Sequence, residues 1–133
     1  MDRPPRKDVR IKSAPKIREF FWCDFWMDAH LPEMWKTRPV LILSYNNRLF
    51  GTCTAIPTST DPDNANDKWA FELPIELEPG RKSWAICNQP VSVAISRLSA
   101  FKKTPRLSEV QFNPILAVVL RWLPRVPPEP QVQ

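Results

Sequence analysis

Sixteen prolines against two glycines in 133 residues restrict this chain more than any other feature. Proline fixes φ and has no N–H to donate, so it interrupts helices and is excluded from the middle of a sheet ladder. Elements between the prolines must therefore be short, which points to many brief strands with stiff connections. Only one window has helical periodicity, Ser108–Leu123, "SEVQFNPILAVVLRWL". Ser108 suits an N-cap, and Ile115, Leu116, Val119, Leu120 and Leu123 fall on one face. Pro114 lies within that window and leaves two alternatives: a kinked helix, or a helix that starts at Asn113 with Pro114 in its first turn.

The length predicts one domain with a hydrophobic core of its own. Residues 16–26 read as a first strand with Phe21 and Phe25 on one face and Phe20, Trp22 and Trp26 on the other. A long loop, 27–37, leads to a second strand at 38–45. Asn46-Asn47 provides turn chemistry, so 38–45 and 48–57 form a hairpin. After a polar loop, "KWAFELPI" sets Trp69, Phe71 and Leu73 inward against Ala70 and Glu72 outward. The turn "EPGRK" is followed by strands at 83–89 and about 92–95, and one more within 98–108. Trp22, Trp69, Trp84 and Trp122 are expected in the core, while Trp26 and Trp35 flank the long loop, where they can stack nucleobases. Five to seven short strands and one terminal helix predict a mainly β fold, a curved antiparallel sheet or open barrel.

Charge is concentrated at the start of the chain. Residues 1–16 hold six basic residues against Asp2 and Asp8, so +4 of the net +5 belongs to them. With three prolines as well, 1–16 is expected to be a disordered basic tail. Residues 124–133, rich in proline, are expected to be disordered too, which leaves 17–123 as the folded domain. Cys23, Cys53 and Cys87 are odd in number, far apart and set in apolar runs. They read as small buried hydrophobes, and the absence of close Cys or His pairs argues against a metal site. No apolar run reaches bilayer length and no signal-peptide pattern opens the chain, so a cytoplasmic protein without a membrane partner is expected.

Five motifs follow one another with distinctive spacing: "IREFFWCDF", then Glu33-x4-Arg38-Pro39 before "VLILS", then "IPTST" at 56–60, then "WAICNQ" at 84–89 and "ISRL" at 95–98 ahead of the helix. In this order the chain resembles the MazF/PemK family of toxin endoribonucleases over about 17–123. The resemblance implies a small open SH3-like β-barrel of the MazF/CcdB kind with one C-terminal helix. It further implies a homodimer, metal-independent cleavage of single-stranded RNA without a cofactor, and a cognate antitoxin partner. Matched by position, Arg38 corresponds to the family's catalytic arginine and Glu33 to an acidic residue preceding it. Ser59 corresponds to the catalytic hydroxyl, with Thr58 and Thr60 beside it. Gln89 falls in the family's "DQ" pair, whose aspartate is Asn88 here. The opening "GD" of the first strand is Arg18-Glu19, and the loop glycines are missing. The glycine loss and Asn88 bear on loop shape and base preference.

RNA is cut without a metal when its own 2′-OH attacks the adjacent phosphate, giving a 2′,3′-cyclic phosphate and a 5′-OH end. The protein then has to align the phosphate, stabilise the phosphorane and move protons. An arginine fork matches two phosphoryl oxygens as a lysine cannot, and Ser59 can donate a hydroxyl to the same group. Arg38, read as exposed, is expected to matter little for stability. Lys36, Thr58, Trp35, Asn88 and Gln89 are candidates for RNA binding. Glu33 is a candidate base, with His30, the only histidine, as a second proton carrier. The alternative is a non-enzymatic toxin or RNA-binding module on the same fold, a CcdB-like poison of a protein target, which needs neither Arg38 nor Ser59.

Overall fold

A computed structural model describes residues 3–127. Seven strands are present among them: β1 (Phe20–Asp24), β2 (Thr37–Ile42), β3 (Thr52–Ser59), β4 (Ala70–Glu72), β5 (Trp84–Ile86), β6 (Val91–Ala94) and β7 (Leu98–Ser99). The helix α1 spans Glu109–Trp122, and 3₁₀ turns lie at Pro62–Asn66 and Ile95–Arg97. All pairings are antiparallel, in the order β4-β5-β3-β2-β1-β7, with β6 also on β3.

β3 carries the architecture because its outer edge changes partner. Thr52–Ala55 pairs with β6, whereas Thr58–Ser59 pairs with β5. Its other edge holds β2, from Val40↔Pro57 to Ile42↔Ala55. β6 passes through one 3₁₀ turn into β7, which pairs with β1. β7, β1, β2, β3 and β6 thus wrap into the small open barrel that the sequence predicts, and β4–β5 extend from the end of β3.

The central strands are buried on both faces, which is why "VLI" in β2 reads as a continuous apolar run rather than an alternating one. Val40 and Ile42 face the barrel interior with Phe21, Cys23 and Phe25. Leu41 faces the other way, into a second core with Phe20, Ile56 and the helix residues Phe112, Ile115 and Val119. Burial of a large aliphatic or aromatic side chain stabilises by roughly 1.5–3 kcal/mol, so the helix is held chiefly by this face.

Ser108 caps α1 through a reciprocal capping box with Gln111, and the helix begins at Glu109 and runs through Pro114. The alternative of a start at Asn113, with Pro114 in the first turn, is not what forms. Pro114 is exposed and cannot donate to the carbonyl of Val110, four residues back; Val110 is itself 83% exposed, so water can take that acceptor. The buried stripe is Phe112, Ile115, Val118 and Val119, which leaves Leu120 and Leu123, expected on the core face, in solvent. Trp122 is likewise exposed and packs edge-on against Trp69 at 5.1 Å.

β1 begins at Phe20 rather than residue 16, because Arg18 adopts φ 75° and its N–H goes to the Ile42 carbonyl at 2.9 Å. The expected tight Asn46-Asn47 hairpin is instead a connection over 43–51. Gly51, not an asparagine, takes the positive φ (93°), while Asn46 uses its side chain, donating to the carbonyls of Pro15 and Ser44 at 3.0 Å each.

Residues 9–16 do not behave as the expected loose tail. Ile11 is buried in the barrel-interior core, Pro15 is fully buried, and Arg10 pairs with Asp24 at 2.9 Å. An apolar residue every few positions is enough to fix this segment despite its charge. Residues 124–127 are exposed and without regular structure; the rest of the proline-rich terminus lies outside the described residues. No helix among the described residues is long and apolar enough to cross a membrane.

Candidate active site

Two prolines lie in central strands, contrary to the expectation from composition, and their placement builds the site. Leu43 N–H donates to the Thr54 carbonyl at 2.9 Å, so the bonded pairs of β2 and β3 alternate from there. Pro57, opposite Val40, falls in a non-bonded pair, and its missing donor faces the gap where β3 passes from β6 to β5. One pair beyond the ladder, Pro39 stands opposite Thr58 with no N–H to offer. Arg38 fills that vacancy: its Nη1 donates to the Thr58 carbonyl at 3.3 Å and its Nε to the Trp35 carbonyl at 3.2 Å. Thr58 returns a bond, its Oγ1 donating to the Pro39 carbonyl at 2.8 Å. The arginine is half-buried, and burial pulls its pKa below the ordinary value, although arginine remains a cation in neutral water. It is therefore a structural group as well as a surface charge, which corrects the expectation of an indifferent edge arginine.

Two of the five guanidinium N–H groups are spent on the backbone, and the others are left for a cleft of about 350 Å³. Trp35, Lys36, Arg38, Thr58 and Ser59, all expected at the site, line this cleft. Ser59 Oγ accepts from Asp61 N–H at 3.2 Å, which positions the hydroxyl and leaves its proton free to donate. Thr58 is 2% exposed and has given its proton to Pro39. Of the neighbouring hydroxyls, Ser59 and Thr60 both line the cleft, while the Thr58 hydroxyl is engaged with the backbone. Lys36, at φ 60°, holds its ammonium 5.3 Å from the Trp35 ring centroid.

The structure sets the other candidates apart. Glu33 Oε1 accepts from His30 N–H at 2.7 Å, and both line a separate hollow with Trp26 and Asp28. The carboxylate is engaged in fixing its own loop and is not brought into the Arg38 cleft. Gln89 Nε2 donates to the Pro32 carbonyl at 3.4 Å and lines a small hollow under that loop. Asn88 is half-buried beside it and does not line the cleft.

The cleft also carries residues that sequence reasoning missed. Glu78 and Arg81, from the turn before β5, and Asp61, just after β3, line it together with Arg38. Trp22, expected in the core, is half-buried, stacks on Phe101 at 4.9 Å and lines the cleft. The available signal was the turn "EPGR" itself, which holds its first and fourth residues side by side.

Fold and cleft together define a small-barrel protein with a cationic groove at a strand seam. The particular family follows from comparison: the profile of the PemK-like, MazF-like toxins of type II toxin–antitoxin systems matches residues 16–123, and the chain belongs to that family. Its members are generally endoribonucleases. Among solved structures, MazF from Deinococcus radiodurans is similar in fold, with a TM-score of 0.60 at 22% identity over 84% of this chain and 94% of that one. Comparison with curated proteins found no match.

Proposed function

We propose that this toxin is a metal-independent endoribonuclease that cuts single-stranded RNA in the Arg38–Ser59 cleft. The observation that carries the reading is the pairing of a backbone-anchored arginine fork with a free hydroxyl donor along one groove. The unused guanidinium N–H groups take two phosphoryl oxygens, and Ser59 donates to the same phosphate. The substrate's 2′-OH attacks, the phosphorane's charge is held by these donors, and the products end in 2′,3′-cyclic phosphate and 5′-OH. A CcdB-like binding module would need no such convergence.

Two partners complete the proposal. A cognate antitoxin inhibits by laying an acidic segment along the cleft, where it competes for Arg38 and Lys36. The toxin acts as a homodimer in the cytoplasm; Leu120, Trp122 and Leu123 leave apolar surface in water at the end of α1, which a second copy can cover. The test is to incubate the purified protein with a mixed-sequence transcript in EDTA and map the ends of the fragments. Cyclic-phosphate ends that vanish with Arg38→Ala support the reading, and intact RNA overturns it. A strictly monomeric mass by light scattering at micromolar concentration overturns the dimer.

A further inference from the structure

Cleavage by this route needs a group that accepts the 2′-OH proton, and neither arginine nor serine does so readily at neutral pH. Glu33 is turned into its own loop. The carboxylates that line the cleft are Asp61 and Glu78. Asp61 is exposed, and its Oδ1 already accepts from Asp63 N–H at 2.9 Å as the cap of a 3₁₀ turn. Glu78 is half-buried, and its Oε1 has no protein donor among the described residues.

The turn that presents Glu78 is rigid. Pro79 and Gly80 occupy its centre, with Gly80 at φ 74°, the conformation a type II turn demands. Arg81 N–H closes it on the Glu78 carbonyl at 3.1 Å, and Gly80 N–H donates to Glu76 Oε2 at 3.0 Å. Leu77 anchors it in the outer core. Arg81 Nη1 donates to Glu78 Oε2 at 3.3 Å, which leaves Oε1 as the oxygen without a protein donor among the described residues, and both residues line the cleft. A carboxylate with a free oxygen that lines the same cleft as the phosphate donors is a group to which the attacking 2′-OH can pass its proton.

Resting on the endoribonuclease reading, we propose that Glu78 is the general base of the cleavage and Arg81 its positioning residue. Glu78 Oε1 takes the proton of the 2′-OH as the 2′-oxygen forms its bond to phosphorus. The bond from phosphorus to the 5′-oxygen breaks, and that oxygen takes a proton from water. Glu78 then releases its proton to solvent. The charges around Glu78 are Arg81 and Glu76 on its own turn, and, lining the same cleft, Lys36 just before β2, Arg38 in β2 and Asp61 beyond β3.

Single-turnover cleavage of a mixed-sequence transcript in EDTA, followed from pH 5 to 9 on the full chain, tests the assignment. Glu78→Gln is expected to slow cleavage on the order of 100-fold or more and to flatten the acidic limb of the pH–rate profile. RNA affinity and Tm should stay close to wild type. Glu78→Asp should keep the acidic limb at a reduced rate, and reports on the base even if the glutamine variant folds poorly. Wild-type cleavage by Glu78→Gln beside an inactive Arg38→Ala overturns the assignment and leaves the endoribonuclease reading intact. An acidic limb lost with Asp61→Asn instead also overturns it. A wild-type protein that leaves the transcript whole overturns both.

Discussion

Arg38→Lys keeps the positive charge and removes the fork, so it separates the arginine's two duties. A lysine ammonium, a compact point donor, cannot bond the Thr58 and Trp35 carbonyls and still present two parallel donors to a phosphate. The Trp35 residue is exposed, so water can take over its carbonyl. Thr58 is buried, and its carbonyl, already without a ladder partner because of Pro39, loses its only substitute. Stranding a buried acceptor costs about 1–3 kcal/mol, and Arg38's partial exposure puts the expected loss in the lower half of that range. Thermal melting should therefore drop by several degrees, with a folded protein remaining. Single-turnover cleavage should fall on the order of 100-fold or more, the usual cost of losing a transition-state charge donor. Arg38→Ala should fall at least as far, while RNA binding on both variants weakens only modestly. A lysine variant that cuts RNA like wild type refutes the bidentate mechanism. A lysine variant that melts like wild type refutes the bond to Thr58.

The neighbouring hydroxyls should divide in the same way: Ser59→Ala is expected to cut at least tenfold more slowly with Tm unchanged, and Thr58→Val to lose about 1 kcal/mol of stability with the hydroxyl's bond to the Pro39 carbonyl. Burial pushes the thiols of Cys23, Cys53 and Cys87 up to about 12, about 11 and about 12. The native state therefore keeps protons that the unfolded chain releases above its ordinary value of 9.0, and stability should hold below pH 9 and decline above it, by ~4 kcal/mol at pH 10 for the three together. Denaturant melts across pH 8–10.5 read that slope, and a flat profile refutes it. Deleting residues 1–8 removes Arg3, Arg6 and Lys7 and should flatten the salt dependence of RNA binding by roughly 0.7 for each phosphate these residues neutralise, with melting and cut positions unmoved. Deleting 1–16 also removes Ile11 and Pro15 from their buried positions, so it should lower stability by roughly 2 kcal/mol or more; equal melting of the two truncations refutes that anchoring.

The order of elements was legible because hydrophobic pattern and turn chemistry are local. The continuous apolar run after Pro39 marked a strand, and Ser108 marked a candidate N-cap for the helix. Arg38 was legible as a candidate through the resemblance, by its place in Glu33-x4-Arg38-Pro39. What was hidden depends on contacts across the fold. Ile11 sits among charges and prolines, and nothing local shows that the barrel interior takes it in. Glu33 looks free until its turn with His30 is formed. Glu78, forty residues from Arg38 in sequence, reaches the same cleft only because β3 exchanges β6 for β5 at its end. The helix face was misjudged at Leu120 and Leu123 because two apolar stripes compete on α1, and only packing chooses between them.

The two prolines of the central strands also bear on how faithfully the chain folds. Short apolar strands can mispair, and a shift by one residue turns a strand over. In β2 or β3 that shift would aim a proline, with no donor, at the neighbour it must bond. A two-residue shift in one direction would carry Pro39 inside the ladder, opposite Ile56. Each of these wrong alignments forfeits a backbone bond that the native one keeps, so competing isomers are disfavoured before any catalytic residue is in place. Because Arg38 precedes Pro39 directly, the alignment that survives this selection is also the one that delivers the guanidinium to the seam.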